Sequence, residues 1–201
     1  MNLSSFFFLI VALTLSPYGF GADLETQTEH CDSCHGPLGV STESDVPTIA
    51  GQTSEYITLT LALYKDWRRP CIKSAYRHGD TSRQDTTMCE ITENMARDEM
   101  EALGEYYAEQ DFVAAKQDFD PALVASGAKL YAQHCESCHP QGGRISGPGP
   151  ILAGQWVRYL ESTVHKVFVA ERPIPPLMNE RVVDFSSKEI DSMVNFLASQ
   201  Q

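Results

Sequence analysis

The sequence predicts an all-α protein built from two similar units in tandem, and three observations support this prediction. The pattern His-Cys-x-Ser-Cys-His occurs at residues 30–35 and again at residues 134–139. Two further landmarks recur in the same order after each copy, Ala-Gly-Gln at 50–52 and 153–155, and Arg-Pro at 69–70 and 172–173. Apolar residues recur at helical spacing in both halves, and no segment alternates as a strand does. Repetition of this kind indicates a duplicated structural unit.

We expect the two units at residues 23–111 and 122–201, joined by a short linker at 112–121 that ties them together. Asp120 followed by Pro121 is typical of a helix start, as is Ser186 with Glu189 three residues later. Three main helices are predicted in each unit: 24–34, 54–66 and 97–110 in the first, and 121–137, 155–170 and 187–199 in the second.

The chain begins with an apolar run, Phe6 to Leu15, that is too short to span a membrane. Small residues follow at Gly19, Gly21 and Ala22, so residues 1–22 are predicted to be a signal peptide. This predicts a periplasmic protein without stable membrane insertion after cleavage. Because no Lys or Arg precedes the apolar run, an uncleaved N-terminal anchor is the alternative.

The formal net charge is −12, from 27 acidic and 15 basic residues. Such a charge disfavours nucleic acid and anionic membranes as partners. It suits docking to a basic patch on another redox protein, or it simply maintains solubility. No Ser/His/Asp grouping, phosphate-binding loop or dinucleotide fingerprint is present, so the chain is predicted not to be an enzyme by itself.

Each copy of the pattern contains C-x-x-C-H, the spacing for covalent attachment of c-type haem. Two thiols three residues apart lie on one side of a helical turn and form thioethers to one porphyrin, and the following His offers its imidazole to the iron. A thioredoxin-like pair needs a βαβ context, and a zinc site needs its cysteines in one cluster. We therefore predict two covalently bound haem c groups, held by Cys31, Cys34 and His35 and by Cys135, Cys138 and His139.

The sixth iron ligand separates an electron carrier from a catalyst, and Met is the expected ligand in a carrier. In the second unit, Met178 ends a proline-rich loop and is the candidate, whereas Met193 is expected in the core. In the first unit Met88 is the candidate, because it follows Arg69-Pro70 as Met178 follows Arg172-Pro173, with thirteen extra residues between. Met95 is an alternative, Met100 is expected in the core, and nothing favours His78 or His165.

The remaining cysteines, Cys71 and Cys89, enclose these extra residues. An even pair in an exported protein predicts a disulfide that closes the inserted loop beside Met88, and two free thiols are the alternative. Closing such a loop is worth about 3 kcal/mol in the chain-entropy account. Pro47 and Pro150 lie at equivalent places after each His, so their carbonyls are expected to accept the second imidazole N–H. Ordinary turn prolines are the alternative.

The tandem of two C-x-x-C-H units, each followed by Ala-Gly-Gln, resembles the dihaem cytochrome c4 family. From residue 115 onward the chain is more similar to one branch, the dihaem cytochrome subunit of flavocytochrome c sulfide dehydrogenase, through segments such as 151–156 (Ile-Leu-Ala-Gly-Gln-Trp) and 171–173 (Glu-Arg-Pro). The resemblance implies two cytochrome c domains related by pseudo-two-fold symmetry. It also implies a flavoprotein partner that oxidises sulfide. The insert between Cys71 and Cys89 departs from the family pattern.

The sequence is compatible with three alternative functions. The first is the electron-accepting subunit of a flavoprotein sulfide dehydrogenase. The second is a free-standing carrier of the cytochrome c4 type that delivers electrons to a terminal oxidase. The third is a dihaem enzyme such as a peroxidase or thiosulfate dehydrogenase, which two methionine candidates argue against.

Overall fold

The computed structural model describes residues 20–201, with side chains from residue 24 onward, so the predicted signal peptide lies almost wholly outside the described residues. The described chain is helical and contains no strand, only an antiparallel bridge between Ser74 and Thr86. This confirms the predicted all-α class. A single 3-10 turn covers Pro37–Gly39. The helices are α1 (Phe20–His35), α2 (Ser54–Lys65), α3 (Met88–Thr92), α4 (Arg97–Ala108), α5 (Pro121–His134), α6 (Pro140–Gly143), α7 (Val157–Phe168), α8 (Pro176–Val182) and α9 (Ser187–Ala198).

Side-chain caps fix where several of these helices begin. Asp120 accepts a hydrogen bond from the Ala122 amide, with Pro121 in the first helical position of α5. Thr87 and Glu90 form a capping box at α3, and Ser186 and Glu189 form another at α9. These residues satisfy amides that have no partner within a helix. The predicted starts of α5 and α9 are confirmed.

Two local predictions were wrong. Helix α5 ends at His134, so the second C-x-x-C-H lies in turns, whereas α1 continues through its motif to His35. Met178 does not end a loop, because α8 begins at Pro176 and contains Met178. Proline lacks an amide hydrogen and has a fixed φ, which suits the first turn of a helix.

Each half has its own hydrophobic core. In the second half, α5 packs against α9 so closely that a Cβ on Gly127 would lie 1.9 Å from the Ser192 carbonyl oxygen. Met193 is only half-buried, contrary to the expectation that it belongs to the core. The first core consists of Ile57, Leu61, Met100, Leu103 and Tyr107, and the second of Tyr131, Ala153, Leu160, Val194 and Leu197.

The two halves dock through a reciprocal pair of glutamines. Gln155 accepts a hydrogen bond from the Thr48 amide (3.0 Å) and donates one to the Thr48 carbonyl (2.7 Å). Gln52 makes the same pair of bonds with Ile151, at 2.9 and 3.1 Å. Thr48 and Ile151 are equivalent in the repeat, so the contact has the self-complementary form of a two-fold interface. The Trp156 indole adds a hydrogen bond to the Ser41 carbonyl of the first half.

The linker is bound to the second half rather than free. The Ala115 amide donates to the Gly154 carbonyl, and Gln117 bonds to the backbone of Gln155 and Val157. Since Gly154 lies next to the docking residue Gln155, the linker and the interface support each other. No helix in the described part of the chain has the length and apolar character needed to cross a bilayer.

Candidate haem-binding sites

In the first site, helix α1 presents the C-x-x-C-H turn and Asp32 fixes the loop that follows it. The Asp32 carboxylate accepts hydrogen bonds from the amides of Leu38 and Gly39, at 2.8 and 3.1 Å. The buried Tyr107 hydroxyl donates to the same carboxylate at 2.8 Å. Leu38 has a φ of 58°, an unfavourable conformation for leucine, which these bonds help to hold.

The second site repeats this construction with Glu136. Its carboxylate accepts from the amides of Gln141 and Gly142, at 2.8 and 3.1 Å, and Gln141 has a φ of 54°. Here the buried Tyr131 hydroxyl donates to the His139 carbonyl at 2.7 Å. Sequence analysis missed the role of Asp32 and Glu136. The available signal was an acidic residue at the same position of both motifs.

Both predicted axial histidines are buried and oriented by a backbone carbonyl. Nδ1 of His35 lies 2.9 Å from the Pro47 carbonyl oxygen, and Nδ1 of His139 lies 2.8 Å from that of Pro150. A carbonyl only accepts, so Nδ1 carries the hydrogen and Nε2 keeps its lone pair for a metal. The predicted hydrogen bonds are therefore present in both halves. Burial lowers the pKa of both imidazoles, which favours the neutral, ligating form.

Glycine allows the backbone to approach the second imidazole. A Cβ built on Gly149 would lie 2.3 Å from Cε1 of His139, which no side chain tolerates. The glycine-rich segment after the second motif thus returns against the ring it follows. Its close packing restricts rotation of the imidazole.

The four motif thiols form no disulfide, and three of them are poorly suited to thiolate chemistry. Burial raises the pKa of Cys31 to about 12 and that of Cys135 to about 11, and it also raises the pKa of Cys34. A thioredoxin-like pair instead needs a cysteine with a lowered pKa. In each half, two free thiols beside an imidazole with an available Nε2 fit the donor set of a covalently attached haem.

Both methionine candidates lie on short helices that follow the Arg-Pro landmark of their half. Met88 is the first residue of α3 and Met178 lies in α8, and both side chains are half-buried. Met100 is 3% exposed and belongs to the first core, as expected. Met95 lines a cavity of about 240 Å³ beside His30 and Cys31, so it stays an alternative.

Neither of the two histidines considered as alternative ligands lies on the helices that carry Met88 and Met178. His78 lies in the inserted loop, where its amide donates to the Ser33 carbonyl. Its buried Nε2 has no hydrogen-bond partner among the described residues. His165 lies in the last turn of α7. Both therefore belong to segments other than those that carry Met88 and Met178.

A disulfide joins Cys71 and Cys89, with the two Cα atoms 5.6 Å apart. It closes the base of the inserted loop, and the Ser74–Thr86 bridge pairs the two arms of this loop. Cys89 directly follows Met88 and is fully buried. The disulfide thus restrains the start of α3, where Met88 lies.

Two arginines are enclosed at the junction of the halves. Arg69 is 6% exposed, and its guanidinium lies 4.7 Å from the centre of the Tyr64 ring. Arg172 donates to the Tyr56 hydroxyl of the other half at 3.5 Å and to Thr163 at 3.4 Å.

In the described part of the chain, neither arginine has a carboxylate within ion-pair distance. Phenols are neutral at physiological pH, so the buried Arg69 and the half-buried Arg172 have no anion of their own among the described residues. Buried charges are normally paired, and each haem carries two propionates. The junction therefore fits the acidic edges of two porphyrins.

Comparison with known proteins agrees with the interpretation of the two motifs as haem-binding sites. A family model described as cytochrome c oxidase, cbb3-type, subunit III matches residues 122–197. Cytochrome c4 of Azotobacter vinelandii is 26% identical over 140 residues, which cover 65% of this chain and 63% of the relative. A protein of Stutzerimonas stutzeri named thiosulfate dehydrogenase electron acceptor is 31% identical over 86 residues, or 42% of this chain and 34% of the relative.

The solved structure of reduced cytochrome c4 from Pseudomonas stutzeri has the same fold. It superposes with a TM-score of 0.70 at 21% identity, and the match covers 90% of this chain and 98% of the other. This chain therefore has the two-domain fold found in cytochrome c4. The matched segments of the two relatives named above span less than two thirds of their length.

The fold and the two sites are those of a dihaem c-type cytochrome, with two covalently bound haem c groups. Among such proteins, the predicted resemblance to the dihaem cytochrome c4 family is confirmed. The narrower resemblance to the sulfide dehydrogenase subunit is not shown by these comparisons.

Proposed function

We propose that this protein is a periplasmic electron carrier in which both irons have histidine and methionine as axial ligands. Cys31 and Cys34 hold the first haem and Cys135 and Cys138 the second. His35 and Met88 bind the first iron, and His139 and Met178 the second. The single observation that carries the proposal is the repeated orientation of a buried, neutral imidazole by a proline carbonyl in both halves.

Haem c supplies a one-electron Fe(II)/Fe(III) couple when it is bound. The chain's own residues prepare each site for it. The carbonyls of Pro47 and Pro150 keep the hydrogen on Nδ1, which makes Nε2 the more basic ligand. The aromatic and aliphatic cores exclude water from the buried side of each site, and a neutral thioether favours the reduced iron. With His and Met bound to it, each iron would have no open coordination position for a substrate.

Spectroscopy of the holoprotein tests the ligand assignment. We expect Met88→Ala and Met178→Ala each to remove about half of the weak near-infrared band that arises from methionine–iron(III) charge transfer. Met95→Ala is the matched control and should leave the band intact. If Met95→Ala removes the band and Met88→Ala does not, the first-site assignment is wrong. A band that no variant changes would refute axial methionine altogether.

We further propose that the electrons come from a partner that oxidises a reduced sulfur compound. The likeness of residues 115–201 to the sulfide dehydrogenase cytochrome supports a flavoprotein as this partner. The likeness to a protein named thiosulfate dehydrogenase electron acceptor supports a second candidate, a thiosulfate-oxidising enzyme. A free-standing carrier that serves a terminal oxidase is the remaining possibility.

Isolation of the native protein through a C-terminal tag separates these partners. Co-purified flavin in stoichiometric amount, with haem reduction on addition of sulfide, supports the flavoprotein. Haem reduction by thiosulfate in the same preparation supports the second candidate. A protein that purifies alone and is reduced by neither compound would contradict both. Recovery from the periplasmic fraction, with a mature N-terminus near residue 22, tests the location.

A further inference from the structure

The histidine that precedes each C-x-x-C-H motif has a different neighbour in the two halves. In the first half, His30 stacks on Tyr76 of the inserted loop, with the ring centres 5.8 Å apart. In the second half, His134 meets the edge of the Phe185 ring at 5.2 Å. The second half has no inserted loop, so the contact made by His30 is specific to the first half.

Three side chains join the inserted loop to the first motif. The hydroxyl of Tyr76 lies 2.9 Å from Nε2 of His30, and Nη2 of Arg83 lies 3.1 Å from the same nitrogen. Arg83 also donates to the Tyr76 hydroxyl at 3.0 Å, and its guanidinium lies 3.8 Å from the centre of the ring. Tyr76 is buried, whereas Arg83 is exposed. We call His30, Tyr76 and Arg83 the loop latch.

The contact with Arg83 fixes the protonation state of His30. A guanidinium has only hydrogen-bond donors and stays charged throughout the physiological range. Nε2 of His30 therefore accepts a hydrogen bond from Arg83 only while it keeps its lone pair, which the Tyr76 hydroxyl also approaches. If Nε2 is protonated, it faces a second cation at 3.1 Å. The loop latch thus closes on a neutral imidazole and is opposed by an imidazolium.

The other groups around His30 do not offset this repulsion. Burial lowers the pKa of His30, and the charge of Arg83 lowers it further. The remaining titratable groups line the two cavities that His30 borders: Glu29, Cys31 and Asp32 on α1, His78 and Asp80 on the inserted loop, and Glu99 on α4. Glu29 is exposed, and the other three carboxylates accept hydrogen bonds from groups other than His30.

The loop latch holds the inserted loop in contact with the first motif. The amides of Arg77 and His78 donate to the Ser33 carbonyl at 2.8 and 3.0 Å. Ser33 and Cys34 are each only 8% exposed. Since Arg77 and His78 directly follow Tyr76 in the chain, their hydrogen bonds to the motif depend on Tyr76 staying in place. Release of Tyr76 therefore loosens the contact between the loop and the motif turn.

We propose that the loop latch is a pH-sensitive switch, which holds the inserted loop on the first haem-binding motif while His30 is neutral and releases the loop when His30 is protonated. In the open state His30 no longer faces Arg83, so it titrates near its ordinary pKa of 6.5, whereas its pKa in the closed state is lower. Closing is therefore strongest above about pH 6.5, where His30 is neutral in both states. It weakens as the pH falls from there towards the closed-state pKa.

The second motif should not respond to acid in this way. The charged neighbour of His134 is a carboxylate, Glu189, whose pKa is lowered mainly by Ser186 and also by His134. Protonation of His134 therefore adds an attraction, whereas protonation of His30 adds a repulsion. Acid should release the cover of the first motif and leave the second motif unchanged.

Hydrogen–deuterium exchange of the holoprotein, measured by mass spectrometry on peptides from residues 74–83, tests this inference. After correction for the intrinsic exchange rate, we expect protection at Arg77 and His78 to fall about fivefold between about pH 7.5 and about pH 5.5, since two positive charges in contact repel even in water. His30→Gln keeps an acceptor for Arg83 but does not titrate, so protection should stay constant over this range. His134→Gln is the matched control and should keep the pH dependence of the wild type.

A second variant on the loop keeps the test independent of haem attachment next to His30. Arg83→Gln removes the second positive charge, so the pH dependence should become weaker, although protection at neutral pH also falls because the stacking on Tyr76 is lost.

Three outcomes overturn the inference. A wild-type protein with constant protection over the same range has no switch. If His78→Gln removes the pH dependence and His30→Gln does not, the titrating group is the other histidine. Protection that is lost only at about pH 4 assigns release to the ion pairs of Arg77 with Glu43 and Asp45. Exchange is measured without a redox partner, so these outcomes do not depend on the proposed carrier function.

Discussion

The reciprocal glutamines predict that the two domains unfold as one cooperative unit. Gln155 is 2% exposed and bonds to both polar groups of the Thr48 backbone, which is itself buried. In Gln155→Leu, the Thr48 N–H and C=O lose these partners, and each unsatisfied buried group costs about 1–3 kcal/mol. The expected loss is therefore about 2–6 kcal/mol. Undocking limits this cost, because water then reaches Thr48.

Differential scanning calorimetry of the holoprotein measures the effect. The wild-type protein should unfold in one transition with equal calorimetric and van't Hoff enthalpies. Gln155→Leu should split this transition or lower its midpoint by about 2–4 °C for each kcal/mol lost. Gln52→Leu should do the same through Ile151. The double variant should add little to either, because the interface is already open.

Gln200→Leu is the control for these variants. Its side chain donates to the Phe196 carbonyl within α9 and to Ser199, so it removes a glutamine without affecting the interface. If Gln155→Leu unfolds in a single transition and its midpoint falls no further than that of Gln200→Leu, the reasoning is refuted. The reduction potentials give a second test. Thr48 follows Pro47, so Gln155→Leu should shift the first haem more than the second.

Three more predictions concern single residues. Gly127→Ala should destabilise the protein by about 1–3 kcal/mol in chemical denaturation, since the new methyl group meets the backbone of α9; unchanged stability would contradict the close packing of α5 and α9. Ser186→Ala should cost about 1 kcal/mol through loss of the α9 cap. The hydrogen bond from the Ser186 hydroxyl holds the pKa of Glu189 below its usual 4.5. The stabilisation is therefore complete at neutral pH and is lost as the pH falls through the folded-state value. Glu189→Gln should flatten this acid limb of the stability profile, and an identical limb in the variant would refute the assignment. Arg172→Met should lower at least one reduction potential in voltammetry, because removing a cation from the haem edge favours Fe(III); an unchanged potential would place the propionates elsewhere.

Local chemistry explains which parts of the fold were predictable from the sequence. The main helices were predicted to within four residues at their ends, because their caps and apolar spacing are local signals. The end of α5 was not predictable in this way, since the two halves carry the same motif in different backbone conformations. Helix α8 was missed because the prolines before Met178 were interpreted as a loop, although proline also suits a first helical turn.

The contacts that join distant segments were beyond local reasoning. Gln52 and Gln155 were visible as repeat landmarks, but their bonds to the opposite backbone depend on how the halves dock. Asp32 and Glu136 act on loops with positive φ, a property of the folded chain only. In contrast, the bonds from His35 and His139 to proline carbonyls were predicted, because each loop is short and the carbonyl has few alternatives.

The differences between the halves have a physical consequence for electron transfer. The motif, the proline carbonyl and the docking glutamine are kept in both, and these elements build each site and join the two. The inserted loop and the acidic charge occur in the first half alone, where they cover one C-x-x-C turn and repel acidic surfaces. A symmetric pair would offer a partner two equal points of contact. The insert removes this equivalence, because it buries Ser33 and Cys34 in the first turn, whereas Ser137 in the second turn stays exposed.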